Sequence, residues 1–452
     1  MDYVIEPSPL SGTIDAIASK SAAHRLLILA ALADTTCDID CPTTSRDIEA
    51  TIACLEGLGA RVARTRSGFR VRPIAAAGDH ATDVAPVLDC GESGSTLRFM
   101  LPVVCALGRP ARLMGHGRLA ERPLSPLYEQ LVEHGARLSP AGALPLSVEG
   151  TLAGGTFELP GNVSSQYVSG LLMAAAALRD DVEVLVSVPV ESRSYIDMTV
   201  SALEAFGVGV RVRTVERSGA SLLAYSVAGG DRPHAGGPIS VEGDWSNAAF
   251  WLCSGAIARS VGVRGLDGQS AQGDRACLAA LAAFGARVSQ DARTGTATAA
   301  HDRLRARTIE VSNIPDLVPP LAGVAALAEG TTRITGAARL RLKESDRLET
   351  VRAALAAMGA DIEVADDGLT IRGRGALAGG VVDAANDHRI AMMAAICGAH
   401  ATGPTTIRGA ECVEKSYPAF FDDFRALGGT ARPATAPGEG EGDTTTTSES
   451  EA

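Results

Sequence analysis

Seven basic residues fall at or near the starts of helices expected from the sequence: Lys20, Arg25, Arg122, Lys343, Arg347, Arg389 and Lys415. A helix N-terminus carries partial positive charge and unpaired backbone N–H groups, so it favours acids and hydroxyls and disfavours cations. The stretch Ser19-Lys20-Ser21-Ala22-Ala23-His24-Arg25 opens an apolar run over 26–32. Ser21 and Arg25 are four apart and share a helix face. An ammonium, a hydroxyl and a guanidinium at one helix start suit a phosphate or a carboxylate. One misplaced cation is noise, whereas the same device repeated along the chain implies a shared anionic ligand that offsets the repulsion. The nearby acids have plainer explanations. Thr44-x-x-Asp47 matches a capping box, which makes Asp47 a structural residue. Asp316, before Leu-Val-Pro-Pro, fits an N-cap with proline in the first turn.

The elements that must position these residues recur with a period. A helix ending in apolar-Gly-small appears at Gly59, Gly135, Gly207, Gly285, Gly359 and Gly428, at separations of 76, 72, 78, 74 and 69 residues. Glycine there is expected in the left-handed conformation that stops a helix and turns the chain into a strand. About 40 residues before each glycine lies a second helix that is apolar nearly all round, as in STLRFMLPVVCALG and DHRIAMMAAICGA. Such a helix is buried. Six units of this size predict two domains of three. The expected boundaries are 1–18 plus 240–432 for one domain and 19–239 for the other. The segment 433–452 carries five acids and no bases and reads as a disordered acidic tail. If each domain points its helix N-termini at the other, the cleft between them is an anion trap that can close on a hinge.

Bulk properties limit the partners. The chain has 452 residues and a formal net charge of −12, which argues against nucleic acid or an anionic membrane as partner. Anions must be held by local cations. No apolar run reaches about 18 residues, and the N-terminus lacks a signal pattern. The nine cysteines show no CxxC and the eight histidines no ligand spacing, so reduced thiols, no metal and a cytoplasmic location are expected.

The segments ASKSAAHR, CGESGSTLRF, ERPLSPL, VSSQYVSGLLMA, SRSYIDMT, SNIPDLVPPLA, LKESDRL, NDHRIAM and VEKSYPAFF, in this order over about residues 5 to 430, resemble the signature set of the 5-enolpyruvylshikimate-3-phosphate synthase family. The resemblance implies an α/β fold of two similar domains, each of three βαβαββ repeats in an inverted barrel-like arrangement with buried helices. It puts the active site in the interdomain cleft. It implies transfer of the carboxyvinyl group of phosphoenolpyruvate to the 5-hydroxyl of shikimate 3-phosphate, without a cofactor; a monomer is expected. By the same resemblance Lys20, Ser21, Arg25, Ser164, Ser165, Gln166, Ser192, Asp316 and Lys343 match shikimate 3-phosphate contacts. Lys20, Gly94, Arg122, Gln166, Arg347, Arg389 and Lys415 match phosphoenolpyruvate contacts. Lys20, Asp316 and Glu344 match the catalytic set: Asp316 takes the hydroxyl proton and Glu344 stands near the methylene carbon. Gly94 would let the backbone approach the phosphate.

Two positions depart from the family pattern. Glu92 stands where Asn is frequent; its expected partner is Arg98, and unpaired it would weaken anion binding. Arg339 also replaces a frequent Asn and could bind the shikimate phosphate instead. Two alternatives compete with this reading. The sister enzyme acting on UDP-N-acetylglucosamine pairs its early Lys with Asn and carries a loop Cys, whereas here Ser21 follows Lys20 and GHGRLAERP has no Cys. A non-catalytic anion-binding scaffold would lose the proton-transfer groups, but Lys20, Asp316 and Glu344 are all present.

Overall fold

The computed structural model describes residues 1–74, 85–217 and 219–434. Most of the segment expected as a disordered tail lies outside the described residues. The helices are α1 (Lys20–Leu32), α2 (Arg46–Gly57), α3 (Gly94–Leu107), α4 (Leu127–Glu133), α5 (Ser165–Ala175), α6 (Arg193–Ala205), α7 (Trp245–Ala258), α8 (Cys277–Phe284), α9 (Val318–Leu327), α10 (Arg347–Ala357), α11 (His388–Gly398) and α12 (Phe420–Ala426). The odd-numbered helices are the apolar ones. All but one or two residues of α3, α5, α7 and α9 are buried, and all of α11 are. The even-numbered helices bury one face, as in α2, where Ile48, Thr51, Ile52, Cys54 and Leu55 turn inward. After each even helix comes the expected glycine, with φ between 73° and 106° at all six positions. A side chain is strained in that region, which is why glycine ends these helices.

The strands form six four-stranded sheets with one topology. Val87–Asp89 runs parallel to Ala111–Met114, which pairs antiparallel with Leu146–Gly150, which pairs with Ala136–Leu138. The parallel step is crossed by a buried helix, here α3, giving a βαβαββ unit. Three sheets surround a core drawn from residues 18–241, and three surround a second core drawn from 5–17 and 245–431. The N-terminal segment completes the second lobe. Tyr3–Glu6 lies between Thr405–Arg408 and Thr430–Pro433, and Ser11–Asp15 pairs in parallel with Ser260–Arg264.

Three boundaries differ by one or two residues from those expected: Ala18 and Val241 also lie in the core of the lobe expected to span 19–239. Ser240 belongs not with residues 1–18 but with the other lobe, because Ile239–Ser240 pairs in parallel with Ile39 and Asp40 and supplies the outer strand of that lobe's first sheet. Pro433 belongs not to the tail but to a strand that it closes opposite Tyr3. The two crossings between lobes run side by side. Ser19 N–H donates to Glu242 O at 2.8 Å and Asp244 N–H to Ile17 O at 2.9 Å.

Candidate active site in the cleft between the lobes

A cleft of about 1050 Å³ lies where the lobes meet. Four of the six buried helices put their first turns on its wall, and the turn before a fifth adds Asp316. Lys20 and Ser21 begin α1, Gly94 and Arg98 lie at the start of α3, Ser164 to Tyr167 at α5, Asp316 just before α9, and His388 and Arg389 at α11. Hydroxyls and carboxylates cap these helices as local physics requires: Ser19, Ser93 and Ser164 accept from the first turns of α1, α3 and α5, and Asp387 from that of α11. Arg122, Ser192, Lys343, Glu344 and Arg347 reach the cleft from the starts of the even helices or the turns before them. The lining contains eight Lys or Arg side chains and only three Asp or Glu, against a chain whose net charge is negative. Anions are therefore drawn by the site and not by the molecule's overall field.

All of the expected site residues except Lys415 line this cleft. Lys415 is buried nearby but bonds elsewhere: its Nζ donates to Glu92 at 2.6 Å and to the Asn386 carbonyl at 2.7 Å. Glu92 thus pairs across the lobes with Lys415, not with Arg98 as expected. Arg98 is taken up by Gln166 Oε1 at 2.8 Å and Pro123 O at 3.0 Å, a geometry Glu92 does not compete with.

Asp47, expected to cap a helix, does something else. Ser45, not Thr44, caps α2, and Thr44 donates to Glu49. This frees Asp47, whose Oδ2 lies 2.7 Å from Lys20 Nζ. Nor does Asp316 cap α9. It sits in a 3₁₀ turn, Pro315–Leu317, and its side chain accepts from three groups. Arg347 reaches Oδ1 at 2.8 Å, and Arg389 and the Tyr195 phenol each reach Oδ2 at 3.0 Å. Burial alone would raise the Asp316 pKa, but Arg389, Lys343 and Arg347 overcome it and hold this carboxyl well below the usual range. Glu344 behaves likewise. Burial opposes its ionisation, and Arg347 at 2.6 Å with Arg122 at 3.5 Å overrides it. The Glu344–Arg122 contact crosses between the lobes.

The cations differ in how they are engaged. Arg347 is 1% exposed, and Asp316, Glu344 and Asp387 all face it. Arg25 is buried with no ion pair among the described residues. It donates to Thr199 Oγ1 and to the Ser21 and Tyr195 carbonyls, and burial lowers its pKa to about 10. Arg122 keeps Nε unpartnered among the described residues. Burial pulls Lys343 down to about 8, with Asp316 opposing. A buried guanidinium without a counter-charge is costly unless a ligand supplies one. A Cβ at Gly94 would lie 2.5 Å from the Arg122 guanidinium, so its missing side chain seats that arginine.

Arg339 stands 2.5 Å from Glu191 and donates to Ser192 Oγ at 2.9 Å and Ser312 O at 3.0 Å. Ser192 takes φ 54°, a left-handed conformation held by these contacts across the lobes. His388 also lines the cleft. Neither of its ring nitrogens has a hydrogen-bond partner among the described residues, and burial with Lys20 and Arg389 nearby keeps the imidazole neutral. Sequence reasoning gives Asp47 the wrong task and passes over Glu191 and Asn386. Ser45 beside Thr44 is the available signal for Asp47, since either hydroxyl could cap.

Among the described residues no helix is long and apolar enough to cross a membrane, and no cluster of three potential metal ligands occurs.

Comparison with known proteins agrees with this geometry. The family model for EPSP synthase (3-phosphoshikimate 1-carboxyvinyltransferase) matches residues 4–424. A 3-phosphoshikimate 1-carboxyvinyltransferase of Clostridium kluyveri is 38% identical over 95% of this chain and 98% of its own length. One from Clostridium acetobutylicum is 37% identical over 94% and 97%. The solved EPSP synthase of Acinetobacter baumannii superposes with a TM-score of 0.77 at 26% identity, covering 95% of this chain and 99% of that one. The enolpyruvyl transferase NikO of Streptomyces tendae, at 19% identity and TM-score 0.73 over 96% and 99%, shares the fold. With the family model spanning nearly the whole chain and relatives matched over almost their full lengths, the chain belongs to the EPSP synthase (3-phosphoshikimate 1-carboxyvinyltransferase) family.

Proposed function

We propose that this chain transfers the carboxyvinyl group of phosphoenolpyruvate to the 5-hydroxyl of shikimate 3-phosphate, releasing phosphate, in the pathway to aromatic amino acids. It acts in the cytoplasm as a monomer, since both lobes of one chain complete the cleft. One observation carries the assignment: a cleft rich in cations in which two carboxylates, Asp316 and Glu344, are held ionised by the very arginines an anionic substrate would engage.

Shikimate 3-phosphate binds through Ser164, Ser165 and Lys343 with Ser21, Arg25, Gln166 and Ser192 around it. Phosphoenolpyruvate binds against Gly94, Arg122, Gln166, Arg347 and Arg389, with Lys20 between the two. In the empty cleft these cations neutralise the site's own acids. As substrate phosphate and carboxylate groups take Arg122, Arg347 and Arg389, the acids lose counter-charges and become more basic. Asp316 then removes the proton of the 5-hydroxyl. The alkoxide oxygen bonds to the central carbon of phosphoenolpyruvate, while Glu344, which takes up a proton once the substrates draw Arg122 and Arg347 from it, gives that proton to the methylene carbon. Fixed guanidinium groups stabilise the resulting tetrahedral adduct without rearrangement. Loss of a methyl proton re-forms the double bond as the carbon–oxygen bond to phosphate breaks.

A phosphate-release assay tests the proposal. Release should require shikimate 3-phosphate and phosphoenolpyruvate together. Release with UDP-N-acetylglucosamine in place of shikimate 3-phosphate would transfer the assignment to the sister activity, and no release with either acceptor would leave an anion-binding scaffold.

A further inference from the structure

We infer that Glu92 sets the affinity of the cleft for anions by holding Lys415 out of it, in a clasp that joins the lobes through Asn386. The inference deepens the phosphoenolpyruvate assignment and rests on it for the identity of the anion. Lys415 ends a 3₁₀ turn, Ala410–Lys415, and its side chain is 8% exposed. Two of its three N–H groups are engaged, by Glu92 Oε2 at 2.6 Å and by the Asn386 carbonyl at 2.7 Å. The same Glu92 oxygen accepts from Asn386 Nδ2 at 2.8 Å. Gly117 packs against the Glu92 carboxylate, where a Cβ would come within 3.0 Å, so the carboxylate is seated and not merely placed near its partners.

The other cleft lysines differ. Lys20 and Lys343 also have acidic neighbours, Asp47 and Asp316, but those acids line the cleft with them. Glu92 and Lys415 both lie outside the lining. The clasp also anchors a strained turn. Ala385 and Asn386 have φ of 50° and 54°, immediately before the Asp387 cap and Arg389. Glu92 is therefore a built-in carboxylate that occupies a cation a substrate anion could otherwise use. A charge-assisted pair this short must break before Lys415 can serve an incoming anion.

The Glu92→Gln substitution keeps the shape and removes the charge. KM for phosphoenolpyruvate, measured at saturating shikimate 3-phosphate, should fall about fivefold, the scale of one partly exposed ionic contact regained by the ligand. In the double variant Glu92→Gln/Lys415→Met the KM should return to within about twofold of wild type, because the gain runs through Lys415. A Glu92→Gln KM that is unchanged or higher overturns the inference. So does a fall that persists in the double variant, which would reflect only the removal of a negative charge. If wild type releases no phosphate with both substrates present, the proposed function fails separately. Calorimetric titration with inorganic phosphate then decides the clasp: tighter binding in Glu92→Gln that vanishes in the double variant supports it, and any other order overturns it.

Discussion

Burial draws the Lys343 ammonium down to about 8, with the Asp316 carboxylate opposing. Its folded pKa lies below that of a free lysine, so the charge is present at neutral pH and is lost as pH rises through about 8. If Lys343 holds the phosphate of shikimate 3-phosphate, kcat/KM for that substrate should fall above about pH 8, approaching tenfold per unit. Lys343→Arg should move the fall upward by a unit or more, because guanidinium stays charged; a pH profile identical to wild type would remove Lys343 from this role. Gly94 supports a second expectation. In Gly94→Ala the new methyl displaces the Arg122 guanidinium, so KM for phosphoenolpyruvate should rise about tenfold, the loss of one charge-assisted contact, while KM for shikimate 3-phosphate changes little. Equal KM values for both substrates in variant and wild type would show that Arg122 relaxes without cost. Most of these side chains are legible in the sequence because cations at helix starts violate an electrostatic preference. Asp47 is not, since Thr44 and Ser45 are equally able to cap. The pairing of Glu92 is not either, because its partner Lys415 lies 323 residues away.

The odd helices are packed so tightly that their N-termini are placed by interior contacts. In one lobe a chain of buried hydroxyls joins two of them through the even helix between. His24 Nδ1 meets Thr51 Oγ1 at 2.7 Å, Thr51 meets Thr96 at 2.7 Å, and Thr96 donates to Ser93 Oγ at 2.8 Å. This links α1, α2 and α3 directly behind Lys20, Asp47 and Gly94. Thr51→Val preserves shape but leaves His24 and Thr96 each short of a partner, which should cost about 1–3 kcal/mol. The first unfolding transition in urea should shift to lower concentration, and an unshifted midpoint would mean the chain of hydroxyls is not under load. The helices and their terminal glycines are legible in the sequence because a left-handed residue leaves a chemical trace. The strands are less so. Ile239–Ser240 spans two residues, too short for any alternation to register, and only its pairing with Ile39 and Asp40 reveals it.

At the scale of the molecule, the chain's order and the lobes' composition disagree. The lobe that contains α7 to α12 needs Tyr3–Glu6 as an inner strand of one sheet and Ser11–Asp15 as an edge of another. A fragment of residues 242–434 therefore lacks strands in two of its three sheets. It leaves Ile407 and Ala431 without the neighbouring strand that holds Ile5 in the core. Unpaired inner edges and lost apolar contacts should keep it from folding cooperatively. The remedy is short. Thr430–Pro433 runs antiparallel to Tyr3–Glu6 with Pro433 opposite Tyr3, and Ala434 N–H donates to Asp2 O at 2.9 Å. A turn of about four residues can join 434 to residue 1 or 2 as a hairpin. The permuted chain 242–434–turn–1–17 should melt in one sharp transition, whereas 242–434 alone should show none. Equal cooperativity in the two fragments would mean that the N-terminal strands decorate this lobe instead of completing it. The site would then owe its geometry to the even and odd helices alone, because Asp316, Lys343 and Arg389 would keep their places without the first seventeen residues.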